Sequence, residues 1–497
     1  MVFNSYIFLI FFPIVVSIYY LLPVKFRPVW LLISSYYFYM SWNARYACLI
    51  LLSTVITYAT GILIGKSREC REGILKKLNP KVFVAGCIII NLGILFVFKY
   101  FNFFFQSISR VLSHTGISFS GPKVDLLLPV GISFYTFQAL GYCIDVYRGE
   151  ILPEKNFLKY ALFVSFFPQL VAGPIERSGN LLHQLSDPHP LNYTIFREGI
   201  FLMLWGYFQK IVIADRIAVY VDAVYGDYES YPGMYLIIAS VLFAFQIYCD
   251  FGGYTNIAKG AALILGVELM DNFKQPYFSA SCSEFWKRWH ISLSSWFRDY
   301  VYIPLGGNRK GKIRKYINIL IVFGLSGLWH GASFTYVMWG TLNGAFQVVG
   351  DGLTSLRKKA GSVLHVRPDN MLIRICKIII TFILIDITWV FFRAESIGEA
   401  CDIIISMVRV INPQILFDGS VFDCGLSFKG FVVLGLSLLI LLIVDIINES
   451  GKSIRKIVMA RNYWLRAFFF AVSVCVILVF GIWGTGYESD AFLYFQF

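Results

Sequence analysis

The chain has 497 residues, 57% of them hydrophobic and 18% aromatic, with a formal net charge of +13 and a mean hydropathy of +0.66. No water-soluble domain of this size needs so much apolar sequence, so composition excludes a soluble enzyme and points to a chain that enters a bilayer repeatedly. The positive charge lies in short loops between apolar runs with no nucleic-acid recognition fold beside it, so the expected surroundings are membrane lipid and no nucleic acid.

In chain order the candidate spans or paired half-spans are residues 5–22, 28–42, 46–65, 82–106, 126–144, 157–172, 198–221, 234–266, 316–350, 372–392, 429–447 and 464–484. Since about 20 apolar residues cover the hydrocarbon core, the expectation is an all-α, polytopic integral membrane protein of roughly eleven crossings, with re-entrant or interfacial helices besides. The first segment begins near Met1 with neither a basic n-region nor a small-residue cleavage site, so it is expected to be retained as a helix. No stretch reads as an attached soluble catalytic domain, which confines function to the membrane and its faces.

The main basic clusters are GKSRECREGILKKLNPK, NRKGKIRK, the segment around LRKK, and GKSIRKIVMARNYWLR. The positive-inside rule places them in the cytoplasm together with Lys25 and Arg27, leaving both termini on the outer side of the cytoplasmic (inner) membrane. The ten cysteines are scattered singly with no CxxC pair. They read as small apolar residues, with no metal site or disulfide framework expected.

We read residues 1–497 as one membrane domain in three parts. Residues 1–123 are N-terminal helices and 351–497 are C-terminal helices. The middle, 124–350, is crowded with Gly, Pro and polar residues, as in LPVGISFYTFQALGYCIDVYRG, FFPQLVAGPIERSGN and FQIYCDFGGYTNIAKGAALILG. Broken backbone is tolerated inside a membrane only where protein buries it or a cavity needs it, so the functional cavity is expected in the middle of the chain.

Two histidines there are the candidates for chemistry. Around His290, the residues Trp286, Trp289, Leu293, Trp296 and Tyr300 recur at spacings of three and four, the pattern of one helical stripe, with Lys287, Arg288, Ser295, Arg298 and Asp299 largely off it. That suits a helix in or dipping from the cytoplasmic interface, ended at Pro304 and Gly306-Gly307; an aromatic anchor without chemistry fits the same pattern. Residues 316–350 run too long for one crossing and are interrupted by Gly324, Gly327, Gly331 and Gly340, so two crossings or a broken pair are expected, with Trp329-His330-Gly331 at the break. An ionisable side chain at such a place is structural, catalytic or a ligand site.

The run WKRWHISLSSWFRDYVYIPLGG and then GLSGLWHGASFTYVMWG resemble the membrane-bound O-acyltransferase family, in its alginate O-acetyltransferase branch. LLPVGISFYTFQALGYCIDVYRG, FFPQLVAGPIERSGNLLHQL, the opening VFNSYIFLIFFPIVVSIYYLLP and the ending FLYFQF support the likeness over essentially the whole length. The resemblance implies a ring of helices around a membrane-crossing tunnel. In it His330 is the catalytic residue and His290 its partner, with Trp329, Trp286, Trp289 and Arg288 as candidates for the tunnel lining or substrate contact. A sugar hydroxyl is a poor nucleophile until a base takes its proton, and an uncharged imidazole suits that task.

The implied substrates are an acyl thioester on the cytoplasmic side, carried as acetyl-CoA or on an acyl carrier protein, and an extracytoplasmic polysaccharide, either an alginate-like exopolysaccharide or peptidoglycan. No bound cofactor is implied, and a separate extracytoplasmic acetyltransferase or other envelope protein is the expected partner. D-alanyl transfer to teichoic acid, or acylation of a protein or lipid, is the alternative, and a transporter or channel the distant one. Nothing resembles a nucleophilic serine or cysteine elbow, so direct transfer is expected.

Where the family often has a DFSGYSD-like string, this chain reads Asp250-Phe251-Gly252-Gly253-Tyr254-Thr255-Asn256. Asp250 is expected to hydrogen-bond a tunnel histidine or a broken helix end, and Tyr248 to share that cluster or to pack in the core. Salt bridges Asp386–Arg393 and Asp145–Arg148 account for the remaining acids near apolar runs.

Overall fold

The computed structural model of the chain describes residues 1–69, 79–119, 121–187, 189–363 and 370–483. The FLYFQF ending and most of the basic stretch GKSRECREGILKKLNPK lie outside the described residues. Every regular element among those described is helical. Among the described residues six helices are long and apolar enough to cross a membrane: Ala44–Arg68, Pro80–His114, Met234–Ile264, Met371–Arg393, Phe428–Glu449 and Tyr463–Phe480. The roughly eleven expected crossings are thus not matched one for one by long apolar helices: Tyr6–Leu21, Arg27–Met40 and Ile132–Arg148 have 16, 14 and 17 residues, and the 157–172 run is divided.

The chain forms two compact units, Met1–Ile200 with Ala258–Met270, and Phe201–Ile257 with Asp271–Phe497. Residues of the 124–350 segment contribute to both.

In the first unit the helices Ala47–Glu69, Pro80–Leu95 and Ile132–Arg148 pack on one another. Inside the bundle Ser53 Oγ donates to Asn91 Oδ1 at 2.7 Å, and Tyr160, from the helix Phe157–Ser165, donates to Thr57 Oγ1 at 2.8 Å. The broken backbone expected around FFPQL is present, since one helix ends at Ser165 and a short one spans Phe167–Leu170. Two glutamines serve the freed backbone there: Gln138 and Gln169 both donate to the Phe163 carbonyl, at 2.6 and 3.0 Å. Such satisfaction is what permits an irregular chain at membrane depth.

The second unit contains a helical hairpin, Gly311–His330 and Phe334–Gly352. His330 is the last residue of the first helix. Gly331 is extended, and the Ser333 side chain accepts from the Thr335 N–H to start the second helix, so the expected break falls where the WHG string lies. The two helices meet through glycine: a Cβ at Gly327 would run into the Tyr336 carbonyl oxygen, and one at Gly340 into that of Phe323. Small residues let helix backbones approach closely in a membrane.

The segment before the hairpin differs from the sequence expectation. One continuous aromatic helix from Phe285 to Tyr300 is not formed. The chain makes a helix Cys282–Arg288, breaks at Trp289 and His290, resumes as Ile291–Phe297, and runs on as a π-helical turn Arg298–Tyr302. Trp289 is extended and His290 is left-handed, with φ of 44°. Spacings of three and four persist across the kink, so periodicity alone cannot see it.

Candidate functional site

Both histidines are deeply buried, His290 at 0% and His330 at 4% exposure. His290 caps the helix Ile291–Phe297 and His330 closes the helix Gly311–His330, so two helix ends bring the imidazoles together. Their ring centres lie 6.2 Å apart at 64°.

The walls around them are aromatic. Trp329 lies 6.0 Å from His290 and 4.9 Å from His330. Trp339, one turn into the second hairpin helix, meets His330 edge to face at 5.0 Å, and Phe392 meets it at 5.6 Å. Phe251 lies 4.7 Å from the His290 ring. Imidazole both accepts and returns a proton near neutral pH, and an aromatic enclosure keeps water from competing for that proton.

The other residues singled out from the sequence are distributed around this centre. Trp289 stacks on Phe285 at 5.4 Å and meets Trp389 at 5.1 Å. Trp286 packs on Trp339 at 5.6 Å, and its indole N–H donates to Asn343 Oδ1 at 3.2 Å. Arg288 is taken up in ion pairs: Glu449 accepts from both arms of the guanidinium at 2.6 and 3.2 Å, and Glu284 accepts at 2.6 Å. Tyr248 donates to Asp445 at 3.1 Å, away from Asp250. Asp386 does not meet Arg393; it accepts from Ser240 at 2.8 Å, while Arg393 pairs with Asp222 at 2.8 Å. Asp145 accepts from Ser178 at 3.3 Å, and Arg148 lies 3.7 Å from Glu150.

Asp250 pairs with Lys210 at 2.5 Å, and the same ammonium reaches Asp215 at 2.7 Å. The DFGGYTN string is explained around this ion cluster. Asp250 holds Lys210, Phe251 walls His290, Thr255 accepts from Asn272, and Asn256 donates to Gln209 at 2.7 Å. Gly253 lies against Gly206, where a Cβ would come within 2.7 Å of the Gly206 carbonyl oxygen.

An open cleft of about 420 Å³ adjoins the centre, with Lys287, Arg298, Lys315 and Tyr302 among its lining residues. It follows one face of the hairpin's first helix through Lys315, Ile319, Val322, Phe323 and Ser326, and is also lined by Trp286, whose ring meets that of Phe323 at 5.1 Å. From Lys315 to Ser326 that face runs about 16 Å, and His330 lies one turn further on, about 6 Å along the axis. Arg298 and Lys315 are paired with Asp299 and Asp351 at 2.8 Å each. Lys287 is exposed and has no carboxylate partner among the described residues.

Sequence reasoning missed Lys210, Asn272, Trp339, Trp389 and Phe392. The first had a signal, a lysine within the apolar run FQKIVIAD, where a cation demands a partner. The aromatics had none, since tryptophan in a membrane helix is ordinary.

Fold and site therefore define a polytopic helical membrane protein with a buried two-histidine centre one helical turn beyond a residue, Ser326, that lines an open cleft. Comparison with known proteins gives its class. The model of the MBOAT, membrane-bound O-acyltransferase family, matches residues 150–392. The chain is 38% identical over 404 residues to the probable alginate O-acetylase AlgI of Pseudomonas syringae pv. tomato, covering 80% of this chain and 74% of that protein. It is 33% identical to the peptidoglycan O-acetyltransferase of Helicobacter pylori, covering 77% and 74%. It is 26% identical to the teichoic acid D-alanyltransferase of Bacillus subtilis, covering 62% and 76%. The chain belongs to the membrane-bound O-acyltransferase family and is a membrane-embedded O-acyltransferase.

Proposed function

We propose that this protein moves an acetyl group from a cytoplasmic thioester to the outer side of the inner membrane for O-acetylation of an extracytoplasmic polysaccharide. The observation that carries the reading is the pairing of His290 and His330 from two helix ends inside one aromatic enclosure. His330 takes the proton of the acceptor hydroxyl as its oxygen attacks the thioester carbonyl. The C–S bond then breaks, and His330 returns the proton to the departing thiolate. His290 orients the reacting groups and steadies developing charge.

The cleft supports a thioester on a long flexible arm, as in acetyl-CoA or an acyl carrier protein. Its length suits an extended chain, its walls are largely apolar, and Lys287 offers a charge to a phosphate at the rim. The NRKGKIRK loop leads into the helix that bears the cleft, so the positive-inside rule puts the mouth in the cytoplasm and both termini outside. The polymer finally acetylated is an exopolysaccharide or peptidoglycan, in keeping with the relatives at 38% and 33% identity, and the hydroxyl that attacks at His330 belongs to a separate extracytoplasmic protein, which passes the acetyl group on to that polymer. The D-alanyltransferase likeness favours a second reading, in which the acyl group is D-alanine.

The test is alkali-labile acetate and D-alanine on surface polymers of cells carrying the wild-type protein or His330→Ala at equal membrane abundance. Loss of acetate from one polymer with the variant supports acetyl transfer and names the acceptor. Loss of D-alanine alone supports the second reading, and unchanged levels of both reject His330 as the base.

A further inference from the structure

His290 and Gln275 are the non-glycine residues with positive φ among those described, at 44° and 40°. A histidine held in the left-handed region persists only where the surroundings over-determine it. Here the determining contacts come from one short segment. The Lys274 N–H donates to the Arg288 carbonyl at 2.9 Å, and the Ile291 N–H donates to the Asn272 carbonyl at 3.0 Å, so segments 272–275 and 288–291 clasp each other on either side of His290.

Asn272 contributes its side chain as well. Its Oδ1 accepts from the Ser292 hydroxyl at 2.6 Å, and its amide donates to Thr255 Oγ1 at 3.3 Å. Asn272 is 1% exposed, and Ser292 and Thr255 are also buried. Thr255 follows Phe251 by four residues on the helix Met234–Ile264, which places both on one face. That face therefore touches the imidazole directly through Phe251 and holds its backbone through Asn272.

We infer that Asn272 is the positioning residue for His290, tying the two residues that follow the histidine to Thr255 so that the imidazole stays aimed at His330. A buried amide in this setting is costly unless its hydrogen bonds are made. The bonds it makes converge on Ile291 and Ser292 rather than on distant packing. The inference rests on the proposed acyl-transfer reading, in which the two imidazoles do the chemistry.

The test uses full-length protein, in cells and purified in detergent. The variants are Asn272→Ala, Asn272→Asp, Ser292→Ala and, as a comparison, Asn318→Ala, which removes a buried amide of the same unit that serves the Gly307 carbonyl at 2.9 Å. Two readouts are taken: surface acetate formed per molecule of membrane protein, and hydrogen–deuterium exchange at the C2 position of each histidine ring by mass spectrometry.

Asn272→Ala is expected to lower acetate formation about 10²-fold, as misplacement of a catalytic group does. It is also expected to speed exchange at His290 about tenfold while His183 and His189 keep their wild-type rates. Asn272→Asp keeps the acceptor for Ser292 and is expected to recover part of both losses; Ser292→Ala is expected to show the His290 effect in smaller measure. If Asn272→Ala does not accumulate, these two variants decide the matter. Unchanged His290 exchange, or a change no larger than in Asn318→Ala, overturns the inference. Failure of His330→Ala to affect surface acyl groups overturns the acyl-transfer reading instead, and the His290 exchange rates still decide whether Asn272 positions it.

Discussion

The imidazoles of His290 and His330 face each other across 6.2 Å although forty residues separate them in sequence, and each stands at the end of its helix. In the proposed mechanism the two act as one unit. His330→Ala is expected to reduce acyl transfer about 10²–10⁴-fold. His290→Ala should cost less, and the double variant should be no worse than His330→Ala alone. Initial rates in membranes holding equal amounts of each variant provide the measurement; fully multiplicative losses would mean that the two act independently.

Lys210 is held by two carboxylates in a buried setting, so its removal takes a buried counter-ion from both. Lys210→Met is expected to destabilise the protein by about 3–5 kcal/mol, read as a lowered thermal midpoint in detergent. Adding Asp215→Leu and Asp250→Leu should recover most of that loss, because a buried ion cluster and an apolar replacement of similar volume are close in energy. A triple variant as unstable as the single one would contradict the assignment of Lys210 as the cation that balances these carboxylates.

Ser326 is buried at the inner end of the cleft, one turn before His330. Ser326→Trp is expected to fill that end and to lower transfer about 10²-fold while leaving membrane abundance unchanged. Lys287→Glu, at the rim, should raise the half-saturating donor concentration by about threefold to tenfold, with an effect that shrinks as salt is added. Normal transfer by Ser326→Trp would mean that the donor reaches His330 by another route.

The hairpin depends on backbone contact at Gly327. Gly327→Ala is expected to cost about 1–3 kcal/mol through overpacking against the Tyr336 carbonyl, and Gly327→Leu should prevent accumulation of the protein. Abundance in membranes and the thermal midpoint measure both; a Gly327→Ala protein as stable as wild type would refute the close-packed seam.

The hairpin was legible because its signals were local. The apolar run exceeded one crossing, glycines punctuated it, and His330-Gly331 fell where the break had to be. That His290 and His330 deserve notice was legible because an ionisable group in a membrane demands a reason, and the structure brings the two together. The kink at His290 was not, since a left-handed histidine leaves the spacing of its aromatic neighbours unchanged. Nor were the partners of Asp250 and Tyr248, because which carboxylate meets which cation or phenol is fixed by helices far apart in the chain. Asp386 and Arg393 illustrate the same point, being near in sequence yet bonded elsewhere.

The turn Phe208–Ala214 is π-helical, and its hydrogen bond from the Asp215 N–H to the Lys210 carbonyl sets residues five apart side by side. During synthesis Asp250 emerges well after Lys210, but Asp215 follows within the same turn. The cation thus carries its own counter-ion through the insertion machinery, and the Lys210–Asp215 stretch can partition into lipid as a neutral dipole before the helix that completes the cluster has been translated.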